Sequence, residues 1–243
     1  MVIHLYTFTY NEMPFLPFWL DYNLGWADRI TAFDNGSTDG TVELLASTPR
    51  VTVGTFTSEG HPEPEPLRTL RNSVWKASRE TADWVVLLDS DEGLYHPAGV
   101  RTYLENMQAR GVTLIRPCGC EVVSEFFPVM GRPLLEQLDR GVPAGDYSKP
   151  VVFRPGAVRD INLTVGCLTH EAKGDIRYRN SSVLMLLHFK RLGWDHYMFR
   201  VKQSRERAKT QPNKRAFGHF SRTDEELRAE FEGMLHNSMA FYP

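Results

Sequence analysis

Two carboxylates directly follow an apolar run in the first half of the sequence. Residues 84–88 are all apolar, and Asp89, Ser90 and Asp91 come next. A strand built from this run would end where the two Asp side chains emerge, so their oxygens could converge on one hard divalent cation, directly or through water. Short Asp-Ser-Asp clusters are more often solvated acidic turns, so the metal interpretation depends on what the rest of the chain places nearby.

A histidine and three carboxylates in the second half are further candidates. His188 closes the apolar run 183–187. An imidazole can act as a third metal ligand beside carboxylates, although a lone histidine at a strand end is more often structural. Glu171, Asp146 and Asp160 are each able to serve as a general base toward a hydroxyl group. The residues alone do not decide among these three.

A dense turn cluster follows the second apolar run. Asp34 precedes the stretch Asn-Gly-Ser-Thr-Asp-Gly-Thr at residues 35–41, which predicts a turn and a helix that starts near Asp39. At the carboxyl end of a strand, the Asp34 carboxylate could accept hydrogen bonds from a base N–H or a ribose hydroxyl. The alternative is an Asx-type turn with a helix cap, and both can hold if Asp39 caps and Asp34 binds.

The elements that must position these residues alternate between strand and helix. This alternation predicts an α/β fold, with a mostly parallel central sheet flanked by helices. Strands are predicted at residues 2–9, 29–33, 51–56, 84–88, 112–117, 149–154 and 183–189. Helices are predicted at 12–25, ended by Gly25, from Trp194 to about Lys209, and from Asp224 with Thr223 as its cap. Alternate prolines predict a stiff loop at residues 59–66, which could border the site.

Length and composition suit one domain with an appendage. The 243 residues are divided into a domain at 1–190, with a nucleotide-binding half at 1–117 and a second half at 118–190, and a basic helical extension at 191–243. The three cysteines, Cys118, Cys120 and Cys167, lack further ligands at zinc-type spacing and are predicted to be free thiols. Such cysteine usage favours a reducing, cytoplasmic compartment.

Neither a signal peptide nor a membrane span is predicted. The first residues run into a strand pattern without a basic segment or cleavage site, and no run of 18 apolar residues occurs. The formal net charge is −2, but residues 188–222 hold ten Lys or Arg against two acidic residues. We expect this basic segment to be a solvated helix face, or else to contact the inner face of a membrane, an anionic acceptor or a diphosphate.

Four blocks in the first hundred or so residues resemble the family-2-like glycosyltransferases with the GT-A fold. The blocks, in order, are Thr-Tyr-Asn-Glu at residues 9–12 followed by Phe-Leu-Pro-Phe-Trp at 15–19, the turn block 34–41, Leu-Arg-Asn at 70–72, and residues 84–92. The second and fourth blocks are specific at this separation, and the others gain weight from their order. The Asp-Ser-Asp-Glu sequence at 89–92 matches the sub-group with an extended D-x-D-E motif, which also tends to carry a late strand-end histidine.

The resemblance implies a role for each matching position. Thr9 and Asp34 would contact the nucleoside and Arg71 would approach the diphosphate, with Asn11, Glu12, Asn35 and Ser90 completing the donor site. Asp89, Asp91 and His188 would hold Mn²⁺ or Mg²⁺, which stabilises the charge that builds on the departing diphosphate.

The implied reaction moves a sugar from a nucleoside diphosphate sugar, with UDP as the expected nucleotide, to a hydroxyl on a glycan or glycolipid. The resemblance implies inversion of the anomeric centre and a bacterial-type surface glycan as product. The family's Glu-Asp catalytic pair before a helix is not found here, and Glu171 is taken as the first choice of base.

Three other functions remain open. An Asp-nucleophile phosphatase of the haloacid dehalogenase type also has Asp-x-Asp after an apolar strand, but on its first strand, whereas here the motif follows the fourth. A binding module without catalysis would keep the fold and lack a base. Binding of nucleic acid by the basic segment is the least favoured, so no nucleic-acid partner is expected.

Overall fold

The computed structural model describes residues 1–57, 65–163, 170–209 and 222–241. The predicted loop 59–66 lies almost entirely outside these ranges, and Cys167 lies outside them as well. In the first half the elements are β1 (Ile3–Thr9), α1 (Leu16–Leu24), β2 (Arg29–Asp34), α2 (Thr41–Ser47), β3 (Val51–Thr55), α3 (Glu65–Ser73), β4 (Trp84–Asp89), β5 (Glu92–Tyr95) and α4 (Val100–Ala109). In the second half they are β6 (Leu114–Ser124), α5 (Leu134–Gln137), β7 (Arg140–Pro143), β8 (Val152–Phe153), β9 (Val158–Leu163), β10 (His170–Gly174), β11 (Tyr178–Leu192), α6 (Trp194–Lys209), α7 (Asp224–Asn237) and β12 (Met239–Ala240).

A ten-stranded mixed sheet forms the centre of the molecule. Its main path runs β12-β7-β6-β8-β4-β1-β2-β3, and β11 pairs with both β5 and β6. The strands β3, β2, β1 and β4 are parallel to their neighbours within this group, while β8 joins β4 to β6 by antiparallel pairs. Helices flank this sheet, so the predicted α/β class is confirmed.

The apolar stripe on the first helix explains how α1 packs. Phe15, Leu16, Trp19 and Leu20 are all buried in the main core, and Gly25 caps the helix as predicted. Trp19 Nε1 donates to the backbone oxygen of Glu92 at 2.7 Å, which ties α1 to β5 beneath the carboxyl end of β4. The helix begins at Leu16, four residues later than predicted, because residues 10–15 form the turn that leads out of β1.

The strands β1 to β4 fall where the sequence predicts them, whereas β5 was not predicted and the strands of the second half differ. The strand predicted at 112–117 extends through Ser124, because β7 and β8 pair along one side of it and β11 along the other. The strand predicted at 149–154 shortens to β8, and the one at 183–189 lengthens to β11. Cys118 and Cys120 are free thiols on β6, as predicted.

The elements from α6 onward join the same structure. The helix α6 has the predicted bounds, and α7 begins at Asp224 behind Thr223, which forms a reciprocal capping box with Glu226. A second apolar cluster packs both helices against β6 through buried side chains, namely Val123, Tyr197, Met198, Val201, Leu227 and Phe231. The strand β12 then pairs with β7. No helix among the described residues is long and apolar enough to cross a membrane.

Candidate functional site

The ends of three parallel strands bring the predicted residues to one edge of the sheet. Thr9, the last residue of β1, is in register with Asp34 on β2, and Phe8 is in register with Asp89 on β4. The chain turns away from the sheet after each of these positions. Open α/β sheets bind ligands at the carboxyl ends of their strands, so this edge is where a ligand site is expected.

A cavity of about 290 Å³ opens at this edge. It brings together segments from both ends of the chain, and its lining residues are Phe8, Thr9, Tyr10, Glu12, Asn35, Phe56, Leu67, Arg71, Asp89, Ser90, Asp91, His188 and Arg200. Eight of these were predicted from the sequence as site residues. A larger cavity of about 500 Å³ between β6, β7 and α7 is lined by none of the predicted residues. The smaller cavity is therefore the candidate site.

The carboxylate of Asp89 is held by two cations. Arg71, on α3, forms an ion pair with Oδ1, and Lys149 Nζ lies 3.5 Å from Oδ2. Lys149 also contacts the buried Glu92 at 2.6 Å. Burial opposes the charge on Lys149, but Glu92 and Asp89 outweigh it and raise the pKa of this ammonium to about 12. Asp89 thus belongs to a fixed cluster with Arg71, Lys149 and Glu92.

The carboxylate of Asp91 is held by a second pair of cations. Arg200 Nη2, on α6, lies 2.9 Å from Asp91 Oδ2, and His188 Nε2, on β11, lies 3.4 Å from the same oxygen. Burial favours the neutral carboxyl, but the charges of His188 and Arg200 prevail and lower the pKa of Asp91. Because both contacts use Oδ2, the other carboxylate oxygen is available to a ligand.

Glu12 connects the first turn of the chain to this network. Its Oε2 accepts from Arg200 Nη1 at 2.5 Å, so one guanidinium bridges Glu12 and Asp91. Burial is the main reason that the pKa of Glu12 rises to about 7, and Arg200 counteracts part of the rise. A carboxyl group with a pKa near neutrality can either donate or accept a proton at physiological pH.

His188 is fixed from behind by a buried carboxylate. Its Nδ1 lies 2.8 Å from Glu121 Oε2 on β6, and the ring of Tyr147 stacks on the imidazole at 4.1 Å. Arg191 Nη1 contacts the same Glu121 oxygen at 2.9 Å. Burial opposes protonation of His188, yet the charges of Glu121 and Asp91 raise its pKa to about 9.

The predicted metal site is only partly assembled. Among the described residues, no three His, Cys, Asp or Glu side chains are placed to hold one ion. Asp91 Oδ2 and His188 Nε2 are 3.4 Å apart, close to the spacing of about 3 Å between adjacent ligands of an octahedral ion with bonds of about 2.1 Å. Magnesium-type sites commonly use one or two carboxylates together with substrate phosphates, so Asp91 and His188 fit such a site once Arg200 releases Oδ2. Asp89, with both oxygens paired to cations, would have to release one of them to join it.

The other residues predicted to bind a sugar nucleotide lie at the same edge of the sheet, where each makes different contacts. Asp34 is 2% exposed and accepts from Gly36 N, Ser37 N and Ser37 Oγ at 2.9, 2.9 and 2.5 Å, so its carboxylate builds the Asx-type turn. Asp39 accepts from the backbone N–H of Thr41 at 3.1 Å, next to the start of α2. A contact of Asp34 with a nucleoside stays a prediction.

Thr9, Asn11 and Ser90 are held at the same edge. The Thr9 hydroxyl is buried with no hydrogen-bond partner among the described residues, and its residue lines the cavity. Asn11 has a left-handed backbone with φ of 52°, and its Oδ1 accepts from Thr38 N at 2.8 Å, which joins the turn after β1 to the turn after β2. Ser90 Oγ donates to Phe8 O at 3.4 Å, and Asn35 N donates to Thr9 O at 3.0 Å.

The structure does not bring the three predicted bases to the cavity. Asp160 and Glu171 lie on the separate two-stranded sheet of β9 and β10, where Asp160 pairs with Lys76 at 2.7 Å. Asp146 is exposed in a short 3-10 helix, Gly145–Tyr147. None of them belongs to the described lining of the cavity. The sequence could not place them, because the spacing of these residues carries no information on how the second half folds back.

Four contacting residues were missed by sequence reasoning, namely Lys149, Arg200, Glu121 and Tyr147. Of these, Glu121 alone carries a local signal, because a charged residue interrupts the strand-like run at 119–123. Arg200 belongs to the predicted basic segment, and it turns inward while Lys202 is exposed. Arg205 pairs with Asp224 at 2.8 Å. The side chains of residues 207–221 lie outside the described part of the chain.

The sequence of this chain matches no family model and no curated protein. Solved structures that align with it include glucosyl-3-phosphoglycerate synthase from Mycobacterium tuberculosis in complex with Mn²⁺, UDP and glucosyl-3-phosphoglycerate, with 21% identity, 49% of this chain and 44% of that chain covered, and a TM-score of 0.31. Another is 4-diphosphocytidyl-2C-methyl-D-erythritol synthase from Anaerococcus prevotii DSM 20548, with 14% identity, 63% and 70% covered, and a TM-score of 0.35. The chain spans less than half the length of the mycobacterial synthase, and at TM-scores this low the alignments assign it no function.

Proposed function

We propose that this protein is a glycosyltransferase that moves a sugar from a nucleoside diphosphate sugar to a hydroxyl acceptor, with Mn²⁺ or Mg²⁺ bound. The observation that carries the proposal is the shared cavity. Three separate segments of the sequence, which carry Thr9 and Glu12, Arg71, and Asp91, line one space of about 290 Å³. That volume is at the lower end of the range for small-molecule sites.

The lining of the cavity suits two parts of such a donor. Thr9 and Asn35, at the carboxyl ends of β1 and β2, suit the polar groups of a nucleoside. The guanidinium groups of Arg71 and Arg200 suit the two phosphates, because guanidinium geometry matches phosphate oxygens. Both groups are paired with carboxylates, so phosphate oxygens would compete for donors that are already oriented.

The metal would be held by Asp91 and His188, with Asp89 as the third predicted ligand. When bound, it would neutralise charge on the departing diphosphate as a Lewis acid. Other residues of the protein orient the proposed ligands. Lys149 and Arg71 hold Asp89 in place, and Glu121 holds His188. UDP is the proposed nucleotide and a glycan or glycolipid the proposed acceptor, with inversion as the proposed stereochemical outcome.

A thermal-shift panel tests donor class and metal dependence together. A ligand that binds only the native state raises the melting temperature, by an amount that follows its affinity. We expect one of the UDP-, GDP-, dTDP- and CMP-sugars to raise Tm in the presence of Mn²⁺, and chelator to abolish most of that rise. The sugar nucleotide that binds should then be hydrolysed slowly, or transferred when an acceptor is added.

Three results would contradict parts of the proposal. If no sugar nucleotide shifts Tm while a phosphate ester is turned over, the Asp-nucleophile phosphatase is favoured instead. A donor that binds but is never hydrolysed or transferred would indicate a binding module. Full transfer activity in excess chelator would refute the metal role and leave the cationic side chains as the groups that neutralise the diphosphate.

A further inference from the structure

The buried face of His188 contacts a carboxylate that the proposed reaction does not use directly. Glu121 is 1% exposed on β6, and its Oε2 accepts a hydrogen bond from His188 Nδ1 at 2.8 Å. Burying an ionised carboxylate carries a desolvation penalty that its partners must offset. A strand position between Cys120 and Val122 would be filled at less cost by an apolar residue.

The pairing determines which imidazole nitrogen faces the cavity. An ionised carboxylate only accepts hydrogen bonds, so Nδ1 must carry a proton that points at Glu121. Nε2 then lies on the side of Asp91, 3.4 Å from Oδ2. The stacked ring of Tyr147 limits rotation of the imidazole, and together these contacts leave it one orientation.

We propose that Glu121 is a positioning residue that orients His188 Nε2 toward a divalent metal shared with Asp91. This inference rests on the proposed metal-dependent function and names a residue beyond the predicted ligands. Carboxylates that accept from the second nitrogen of a ligating histidine fix the ring and increase its basicity as a ligand. Loss of such a partner typically lowers metal affinity about 10- to 100-fold.

The competing explanation is that Glu121 serves only as the ion-pair partner of Arg191. The structure offers a matched control for this possibility. Glu230, on α7, contacts Arg191 Nη2 at 3.0 Å and Arg222 Nη1 at 2.6 Å. Glu230→Gln therefore removes one carboxylate from Arg191 and leaves the contact between Glu121 and His188 in place.

The experiment measures Mn²⁺ affinity directly, from the electron paramagnetic resonance signal of free Mn²⁺ in titrations of the full chain with UDP present. We expect Glu121→Gln, which keeps the side-chain volume, to weaken Mn²⁺ binding by about tenfold, and Glu121→Ala by up to about 100-fold. Glu230→Gln should bind Mn²⁺ as the wild type does. Binding of UDP without metal should be unchanged in all of these proteins.

A double mutant tests whether the effect passes through the imidazole. In the His188→Ala background, Glu121→Gln should have no further effect on Mn²⁺ affinity, because residues that act as a unit are not additive. Wild-type Mn²⁺ affinity in Glu121→Gln, or an equal loss in Glu230→Gln, would overturn the assignment while the donor-induced rise in Tm would still support the proposed function. If the wild type binds the sugar nucleotide and no Mn²⁺, both the metal role and this inference are wrong.

Discussion

Two carboxylates of similar sequence context have different partners in the folded protein. Asp89 is paired through both oxygens, with Arg71 and Lys149, whereas the contacts of Asp91 fall on one oxygen. The Asp-Ser-Asp motif predicts two equivalent ligands, but Asp89 is the last residue of β4 and Asp91 lies in the turn before β5, so the two side chains meet different neighbours. At the scale of single residues, we therefore expect Asp91 to matter more than Asp89 to a bound cation.

Asp91→Asn should lower the rate of sugar transfer by at least about 10²-fold, the scale seen when one preorganised electrostatic group is lost. The amide keeps the shape of the side chain and removes the charge that would hold a metal. Initial rates at saturating donor and Mn²⁺ measure the effect.

Asp175→Asn is the matched control for this substitution. Asp175 is exposed and lies with Asp83 beside a separate cavity, at the opposite edge of the sheet, where β4 begins. Asp175→Asn should leave the rate of sugar transfer unchanged. A rate for Asp91→Asn within threefold or so of the wild type would refute the role of Asp91, because such a change corresponds to less than about 1 kcal/mol of transition-state stabilisation.

At the scale of elements, the strands β6 and β11 position Glu121 and His188 at the site. They pair in parallel along most of β6, with register shifts between Asn180 and Met185 and between His188 and Arg191. The second shift directly follows His188, at the point where β11 leaves its pairing with β5. The His188 imidazole thus lies where β11 ends its pairing with β5 and shifts its register against β6.

Gly119→Ala should destabilise the protein by about 1–3 kcal/mol, the usual cost of overpacking. A Cβ at Gly119 would lie 2.2 Å from the carbonyl oxygen of Ala144 and 2.9 Å from Ser148 N, so the segment that carries Tyr147 would have to move. Urea denaturation measures the change in the free energy of unfolding.

Gly145→Ala provides the comparison within the same segment. A Cβ at Gly145 meets no atom within 4 Å, so this substitution should be close to neutral. Equal destabilisation by both substitutions would contradict the steric explanation and would indicate that the whole segment is intolerant of change.

The elements also explain what the sequence could and could not predict. The strands of the first half are short apolar runs bounded by turn residues, so their positions and the meeting of Thr9, Asp34 and Asp89 at one edge follow from local patterns. The contacts of Glu121 with His188 depend on a strand pairing across 67 residues and on its register shifts. Such long-range register leaves no pattern in a single sequence, and this is why the supporting carboxylate was missed.

At the scale of the whole molecule, the site joins a residue from the first turn of the chain to a residue on α6. Arg200, on α6, reaches Glu12, just before α1, across 188 residues of sequence. Residues 191–243, predicted as an extension, therefore contribute both a cavity side chain and β12 of the main sheet. The basic character of this segment is partly explained by inward pairing.

Arg200→Gln should destabilise the protein by about 2–4 kcal/mol, slightly below the scale for a fully buried pair, because it leaves Glu12 and Asp91 without their shared partner. Adding Glu12→Gln should recover part of this loss, so that the double mutant is less destabilised than the sum of the single mutants by about 1–3 kcal/mol. Urea denaturation of the four proteins completes the cycle.

Lys202→Gln controls for loss of positive charge on the same helix, since Lys202 is exposed. It should change the free energy of unfolding by less than about 0.5 kcal/mol, as surface substitutions usually do. Strict additivity of Arg200→Gln and Glu12→Gln would show that the bridge between the chain ends contributes nothing to stability.

The bridge between Glu12 and Arg200 also has a consequence for the order in which the molecule assembles. Contacts between residues far apart in sequence form late, because a long loop must close first. The parallel strands that carry Thr9, Asp34 and Asp89 are complete within the first ninety residues, whereas the guanidinium that completes the cavity is synthesised more than a hundred residues later. During synthesis, we therefore expect the strand edge to form first and the binding site to mature only once α6 has docked.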